Sequence, residues 1–491
     1  MKALKITAIL LIISTVQLFA QEATIFGDYF VDKTMRIDYH HIGDAETEII
    51  TIDKIYDYGI WAGSRVNLID RFNNGRYYIK IYDKAAGLLI YSKGFDSYFG
   101  EYQTSGPAMN GIKKVFHETA IIPYPQNEII FAVEKRGDVN KLFEVWRTEI
   151  DPSDIMIIED EISNEFVIVE TVVNSGDPHS KVDLVILGEG YAKNEIEKFN
   201  ADLKKFTNTF FSREPYKTYK SNFNVYGVLK PSEETGVDEP RAGIYKNTTL
   251  SCTFNSMGSE RYLLTEDNKA IHDLAAHVPY DAIYIMVNHK RYGGGGIYNF
   301  FCTFTTDNQF DDYLFLHEFG HSFSGLADEY YTSSTAYDNF YKPTVEPVEP
   351  NISALINKEN LKWKDLLSEG IELPTFWEKE EFDKFSYAWQ QKRAEMNDRI
   401  AELKRTGASA EEIKEAEDAY TREDKKNSDK VDKYLQGCKH YGKVGAFEGA
   451  GYMAKGMYRP MLDCIMFSKG NKPFCMVCEQ AITKVILHYS E

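Results

Sequence analysis

The sequence predicts a multidomain protein: an N-terminal all-β sandwich, then an α/β domain carrying a helical hairpin insertion. Three observations predict this. Residues 27–151 alternate apolar and polar side chains with period two between Gly, Asn, Asp and Pro breaks. From Val182 onward, apolar strand-like runs alternate with helical segments. Residues 380–435 then become charged and helix-forming, with opposite charges four apart. A chain of 491 residues also exceeds what one ordinary hydrophobic core organises, so more than one domain is expected.

The chain opens differently from the rest. Lys2 and Lys5 precede the apolar run Ile6 to Ile13, and Leu18-Phe19-Ala20 leads into Gln21 and Glu22. This pattern reads as a signal peptide over residues 1–20, cut after Ala20. The run is too short to span a bilayer, which takes ~20 apolar residues, and no later segment qualifies as a transmembrane anchor. The expected location is therefore secreted or periplasmic. Removing residues 1–20 deletes two lysines and no acid, so the formal charge of -19 becomes -21. Such an acidic protein repels polyanions, which argues against nucleic acid as a partner.

The domain boundaries follow from the punctuation. Residues 21–152 form the β-sandwich domain, with strands read from "YYIKIYD", "GLLIYSKGF", "NEIIFAVEKRG" and "LFEVWRTEI". His40, His41 and His117 fall there without ligand spacing and are expected to be structural or surface residues. Residues 153–491 form the second domain, beginning after the Asp151-Pro152-Ser153 turn.

Within it, Val182–Leu187 reads as a buried strand, followed by a helix near Lys193 to Phe211. "FNVYGVLK" and "YDAIYIMVN" are further strands. Gly188 and Gly190 lack the third glycine of a dinucleotide fingerprint. Gly293 to Gly296 lack the lysine ending of a phosphate loop, and read as a flexible loop before the strand "IYNFFCTFT". In the hairpin at 380–435, Gly407, Ala408 and Ser409 make the turn, with Ser409 as the cap of the second helix. Its charges are expected to be a solvated face.

The six cysteines, Cys252, Cys302, Cys438, Cys464, Cys475 and Cys478, all lie in the second domain. An even number in an exported protein points to disulfides. A structural metal at Cys475-x-x-Cys478, or free thiols, are the alternatives. Against the metal, only Cys438 and Cys464 lie near enough in sequence to complete a cluster.

The segment "DDYLFLHEFGHSFSGLADEYY" at 311–331 carries the chemistry. His317, Glu318 and His321 form HExxH on an apolar helix. Residues four apart share a helix face, so both imidazoles can present a nitrogen to one Zn²⁺. Glu318, one position round, sits beside the metal. It can take a proton from the water held there and pass it to a leaving amine. Catalytic zinc usually has three protein ligands. Gly325 can turn the chain so that Asp328 or Glu329 completes the set, with Asp328 preferred and later residues such as His440 or Asp463 as further possibilities. Two buried histidines satisfied by hydrogen bonds alone is the bland alternative.

Residues 311–331, together with "MYRPMLDCIMFSKGNKPFCMVCEQAI" at 457–482, resemble the M64 family of metallopeptidases, also called the IgA peptidase family. The resemblance extends from about 155 to the C-terminus, and the preceding β-rich segment is similar to the N-terminal domain that accompanies this family. It implies an α/β zincin fold of metzincin-like type, with His317 and His321 as metal ligands and Glu318 as base. It also implies a Met-turn at Cys464–Phe467, with Met466 as an apolar floor beneath the ligands. The general metzincin pattern is HExxHxxGxxH, or Asp in the last place. Here Ser324 and Ala327 hold the expected glycine and ligand positions, and Gly325 and Asp328 each come one residue late. Tyr458 is a candidate donor to the tetrahedral oxyanion, with Arg459 competing. "IYNFFCTFT", just upstream of the helix, is where such enzymes align an extended substrate by added β pairing.

The expected activity is a zinc-dependent endopeptidase acting on extracellular proteins, host glycoproteins among them. The family name identifies no substrate: immunoglobulin, mucin glycoprotein and dietary protein stay open, as does the oligomeric state. The alternatives are a zinc exopeptidase or amidohydrolase, and a glycan- or protein-binding surface protein with a vestigial metalloenzyme domain. An intact Glu318 argues against decay.

Overall fold

The computed structural model describes residues 25–159, 162, 164–332 and 341–491. The signal-peptide expectation falls on residues 1–20, outside the described residues.

Among the described residues, the N-terminal region contains eight strands: β1 (Phe30–Gly43), β2 (Glu48–Tyr58), β3 (Tyr77–Asp83), β4 (Leu89–Phe95), β5 (Lys114–Pro125), β6 (Ile129–Arg136), β7 (Leu142–Ile150) and the short β8 (Ile158–Glu159). They form two four-stranded sheets, ordered β5-β1-β2-β8 and β4-β3-β6-β7. Period-two alternation turns one face of each sheet inward. Met35, Ile37 and Tyr39 of β1 meet Tyr77, Ile79 and Ile81 of β3 and Phe131 and Val133 of β6 in one core. Each such side chain contributes about 1.5–3 kcal/mol on full burial.

The other face of β1 carries a buried charge. Arg36 donates from Nε and Nη2 to the two carboxylate oxygens of Asp38, both at 2.7 Å, and from Nη1 to Asp273 at 2.7 Å. Asp273 belongs to the following region, so this fork ties the two together. His41 is also buried, with its ring nitrogens 2.9 Å from Glu118 and 2.8 Å from Glu48.

The second region is a mixed α/β structure. Its six-stranded sheet comprises β9 (Ile168–Val173), β10 (Val182–Glu189), β11 (Phe223–Leu229), β12 (Ala282–Val287), β13 (Gly294–Ile297) and β14 (Phe301–Thr305). The order is β13-β14-β12-β10-β11-β9. The inner four strands are parallel and the two edge strands antiparallel to their neighbours. Central parallel strands are covered on both faces, which is why Val182–Leu187 is apolar at every position but Asp183. Leu184 and Ile186 face one core with helix α1 (Ile196–Phe210). Val185 and Leu187 face the other with helix α2 (Asn268–Ala275). A 3-10 turn at Lys193–Glu195 precedes α1, so the α-helix begins three residues later than the sequence suggests.

One expectation is corrected here. The glycine run is not a loop: Gly294–Ile297 is β13, the edge strand, and the stretch read as one strand is broken at Asn299. The reason is steric. Helix α3 (Asp311–Ser324) lies so close to β13 that a Cβ at Gly296 would sit 2.4 Å from the Glu318 carbonyl oxygen and 2.9 Å from His321 Cβ. Residues without side chains let backbone and helix touch.

Two long helices follow, α4 (Lys379–Arg405) and α5 (Ala410–Gly437). Gly407 turns the chain with φ 70°. The Ser409 hydroxyl accepts from Glu412 N–H while the Glu412 carboxylate accepts from Ser409 N–H, a reciprocal cap. Phe382, Val431 and Leu435 bury against the core of the sheet's α3 side. The chain ends with a hairpin of β15 (Phe447–Ala450) and β16 (Met453–Arg459), an irregular turn, and α6 (Met476–Ser490). Among the described residues, no helix is long and apolar enough to cross a membrane.

The N-terminal region docks beside the edge strand. Asp96 N–H donates to Tyr298 O at 2.9 Å, and Asn299 Nδ2 donates to Gly94 O at 2.7 Å.

Candidate metal centre

Helix α3 is buried nearly all round. Leu314, Phe315, Leu316, Phe319 and Phe323 fill the core between it and the sheet. Asp311 and Asp312 in its first turn match the positive end of the helix dipole. Gly325 ends it in the left-handed conformation, φ 61°, with its N–H donating to His321 O at 3.0 Å. Glycine adopts this conformation at no steric cost. The reversal brings Leu326 O to 2.6 Å from His321 Nδ1 and swings Asp328 back over the helix.

Three donor atoms then converge. His317 Nε2 and His321 Nε2 are 3.1 Å apart, and Asp328 Oδ1 lies 3.1 Å from the first and 3.2 Å from the second. Nδ1 of each ring faces a backbone carbonyl, Ile465 O at 3.0 Å for His317 and Leu326 O for His321. Each Nδ1 therefore carries the hydrogen in the neutral ring, and each Nε2 keeps a lone pair. Asp328 Oδ1 is buried yet has no hydrogen bond of sound geometry. Two lone pairs and a carboxylate oxygen in one small triangle repel unless a cation lies between them. For a tetrahedral ion at ~2.0–2.1 Å from N and O ligands, donor separations are about 3.3–3.4 Å. The donor set and its spacing fit a metal.

The electrostatics agree. Burial pulls His321 down, but the Asp328 carboxylate outweighs it and pushes the imidazole up to about 9, so the triangle draws in positive charge. Asp328 is held well below the usual carboxylate range: burial opposes this, and His321 and His317 outweigh it. Burial raises Glu318, with the two imidazoles partly offsetting it. Its carboxylate lies beside β13, where a Cβ on Gly294 would come 3.2 Å from Oε1.

The cleft is lined by Gly294–Ile297, by Asp96 and Glu101 of the N-terminal region, and by tyrosines that include Tyr292, Tyr313, Tyr330 and Tyr452. The Tyr452 hydroxyl donates to Asp328 Oδ2, fixing the carboxylate from its far side. Arg261 Nη2 donates to the Tyr330 hydroxyl at 2.8 Å. Sequence reasoning missed Tyr452 and Arg261. The one available signal was the turn "GAGYM", where Tyr452 sits at φ 63°.

Other expected residues lie elsewhere. Tyr458 is on β16 opposite Glu448 and does not line the cleft. Arg459 is fully buried, its guanidinium 3.9 Å from the Phe467 ring centroid and 4.7 Å from that of Trp377. Glu329 points away from the triangle, accepting from Asn351 Nδ2 at 3.1 Å. Asp463 pairs with Lys472 at 3.0 Å, and His440 lies by Phe447. Met466 is fully buried, and a Cβ on Gly320 would meet its sulfur at 3.0 Å. The methionine thus lies under the helix between the two histidines.

The expected disulfides are not formed: all six cysteines are buried free thiols. Cys252 and Cys302 lie in cores on opposite faces of the sheet, so they cannot meet.

Comparison with known proteins places the chain. A family model described as IgA Peptidase M64 matches residues 170–486, and one described as Peptidase M64 N-terminus matches residues 25–147. No curated protein matches the chain. With most of its length covered by these two models, the chain belongs to the IgA peptidase M64 family of metallopeptidases and carries that family's N-terminal domain.

Proposed function

We propose that this protein is a zinc-dependent endopeptidase of extracellular proteins, exported through residues 1–20, with a metzincin-like catalytic domain at 153–491 and residues 380–435 inserted in it. The observation that carries this is the triangle of His317 Nε2, His321 Nε2 and Asp328 Oδ1. Two imidazoles and one carboxylate suit Zn²⁺, and three protein ligands leave a position open for catalysis. When bound, the metal supplies a Lewis acid that acidifies water and polarises the scissile carbonyl.

The chain's own residues do the rest. Ile465 O and Leu326 O hold the imidazoles in the tautomer that leaves Nε2 free. Glu318 takes a proton from the attacking water and delivers it to the departing amine. Its burial raises its proton affinity toward what that transfer needs. The substrate backbone extends along β13 past Gly294, whose outer edge already bonds Arg261 O and the Leu263 N–H. Tyr458 has no part in this reading.

The test is cleavage of a peptide blocked at both ends. Internal cuts are expected, lost on chelation and restored by zinc. A full rate after exhaustive chelation would sink the proposal, and cutting only of peptides with a free terminus would favour an exopeptidase.

A further inference from the structure

The expected cysteine bridges give way to a different arrangement. Cys464, Cys475, Cys478 and Glu329 are all fully buried, and their sulfur and carboxylate atoms lie within 4.8 Å of one another. We propose that they form a second metal site, separate from the histidine triangle, which holds one zinc-type divalent cation in a three-thiolate, one-carboxylate shell.

The distances fit. With metal–sulfur bonds of ~2.3 Å and a metal–oxygen bond of ~2.0 Å, a tetrahedral ion separates two sulfurs by about 3.8 Å and a sulfur from an oxygen by about 3.5 Å. Cys464 Sγ and Cys478 Sγ are 3.9 Å apart. Glu329 Oε1 lies 3.8 Å from Cys475 Sγ and 3.2 Å from Cys478 Sγ, bracketing the expected value.

The backbone prepares the sulfurs to carry charge. Met466 N–H at 3.4 Å and Cys475 N–H at 3.2 Å both donate to Cys464 Sγ. Cys478 N–H, in the first turn of α6, donates to Cys475 Sγ at 3.5 Å. Such N–H···S bonds stabilise a thiolate, the form that binds metal. Glu329 Oε2 is buried with no hydrogen-bond partner. The buried Arg459 guanidinium acts on this carboxylate from a distance, and a metal ion would bond it directly.

A disulfide explains less. The bond is ~2.05 Å, so Cys464 and Cys478 would have to move together. Joining any two of the cysteines would leave one thiol over and Glu329 Oε2 still without a bonding partner. Metal binding instead releases three thiol protons to solvent as three metal–sulfur bonds form, and the carboxylate supplies the fourth donor. Three soft ligands select zinc-type ions over magnesium or calcium.

The site has a structural task. Glu329 follows Asp328 directly, and its N–H donates to Met466 O at 2.8 Å. Cys464 precedes Ile465, whose carbonyl faces His317 Nδ1. One ion would therefore tie together the Asp328 segment, the Met466 turn and the start of α6.

The test uses the full chain with His317→Ala and His321→Ala, which removes the first site only. The folded variant is expected to retain one equivalent of zinc. Its cobalt form should show a thiolate-to-cobalt charge-transfer band, and the denatured, unreduced protein should show all six thiols. Adding Cys475→Ser and Cys478→Ser should remove both metal and band. A folded His317→Ala, His321→Ala variant with no metal, or one with two thiols missing, would overturn the second site. Failure of the first site reads differently: that variant would then hold as much metal as the parent protein.

Discussion

Asp328 and Glu329 are consecutive residues whose carboxylates face opposite ways. Asp328 Oδ1 lies within 3.2 Å of two imidazole nitrogens, while Glu329 Oε1 lies 3.2 Å from the Cys478 sulfur. Both side chains are buried. The turn at Gly325 sets this division, because it fixes which of the two passes over the helix face that carries His317 and His321.

Replacing Glu318 with Gln keeps size and polarity but removes the proton acceptor. The peptidase rate is expected to fall by about 10²–10⁴-fold with bound metal unchanged. Metal analysis alongside the rate checks this. A variant within tenfold of the parent rate would take Glu318 out of the role.

Tyr452→Phe removes one hydroxyl, the donor to Asp328 Oδ2. Partners that orient a ligand typically account for about 10–100-fold in metal affinity. Competition against a chelator should show such a loss, with the melting temperature of the metal-saturated protein little changed. Unaltered affinity would mean that Asp328 needs no such support.

Asp183 and Asp281 make stability depend on pH. Burial first, then the Asp281 charge, pushes Asp183 up to about 8, and burial pushes Asp281 up to about 7. The unfolded groups titrate near ~3.9. The folded state therefore holds a proton that the unfolded state has released. The contribution is full below pH ~4 and is lost as pH rises through about 7 and 8. Melting temperatures between pH 5 and 8.5 should fall more steeply for the parent than for Asp183→Asn. Parallel curves would count against the pair.

Gly296→Ala should disturb the contact between β13 and α3, since the new Cβ would lie 2.4 Å from the Glu318 carbonyl. Overpacking of this kind costs about 1–3 kcal/mol. Activity should fall as well, because the strain falls on the helix that carries Glu318. Gly437→Ala, where nothing lies within 4 Å, is the matched control in a thermal melt and should be tolerated.

Much of this architecture was legible from periodicity. The buried run at Val182–Leu187 and the alternation in "LFEVWRTEI" fix their strands directly, and helical spacing puts His317 and His321 on one face. Other features depend on contacts distant in sequence. The glycine run reads as a loop until the helix lying against it is seen. Tyr458 and Tyr452 lie on one hairpin, and only its pairing register shows which hydroxyl reaches Asp328. Cysteine spacing suggests bridges because it cannot reveal that Glu329, far upstream, joins three of the sulfurs.

Asp96 and Glu101 of the N-terminal region share the cleft with Glu318, and the Asp96 N–H is anchored to Tyr298 next to the edge strand. That region is thus a wall of the cleft rather than a detachable tether. Full-length protein with Glu101→Gln should keep its metal but cut a peptide library with altered preferences. Identical cleavage profiles would show that this carboxylate does not touch the substrate.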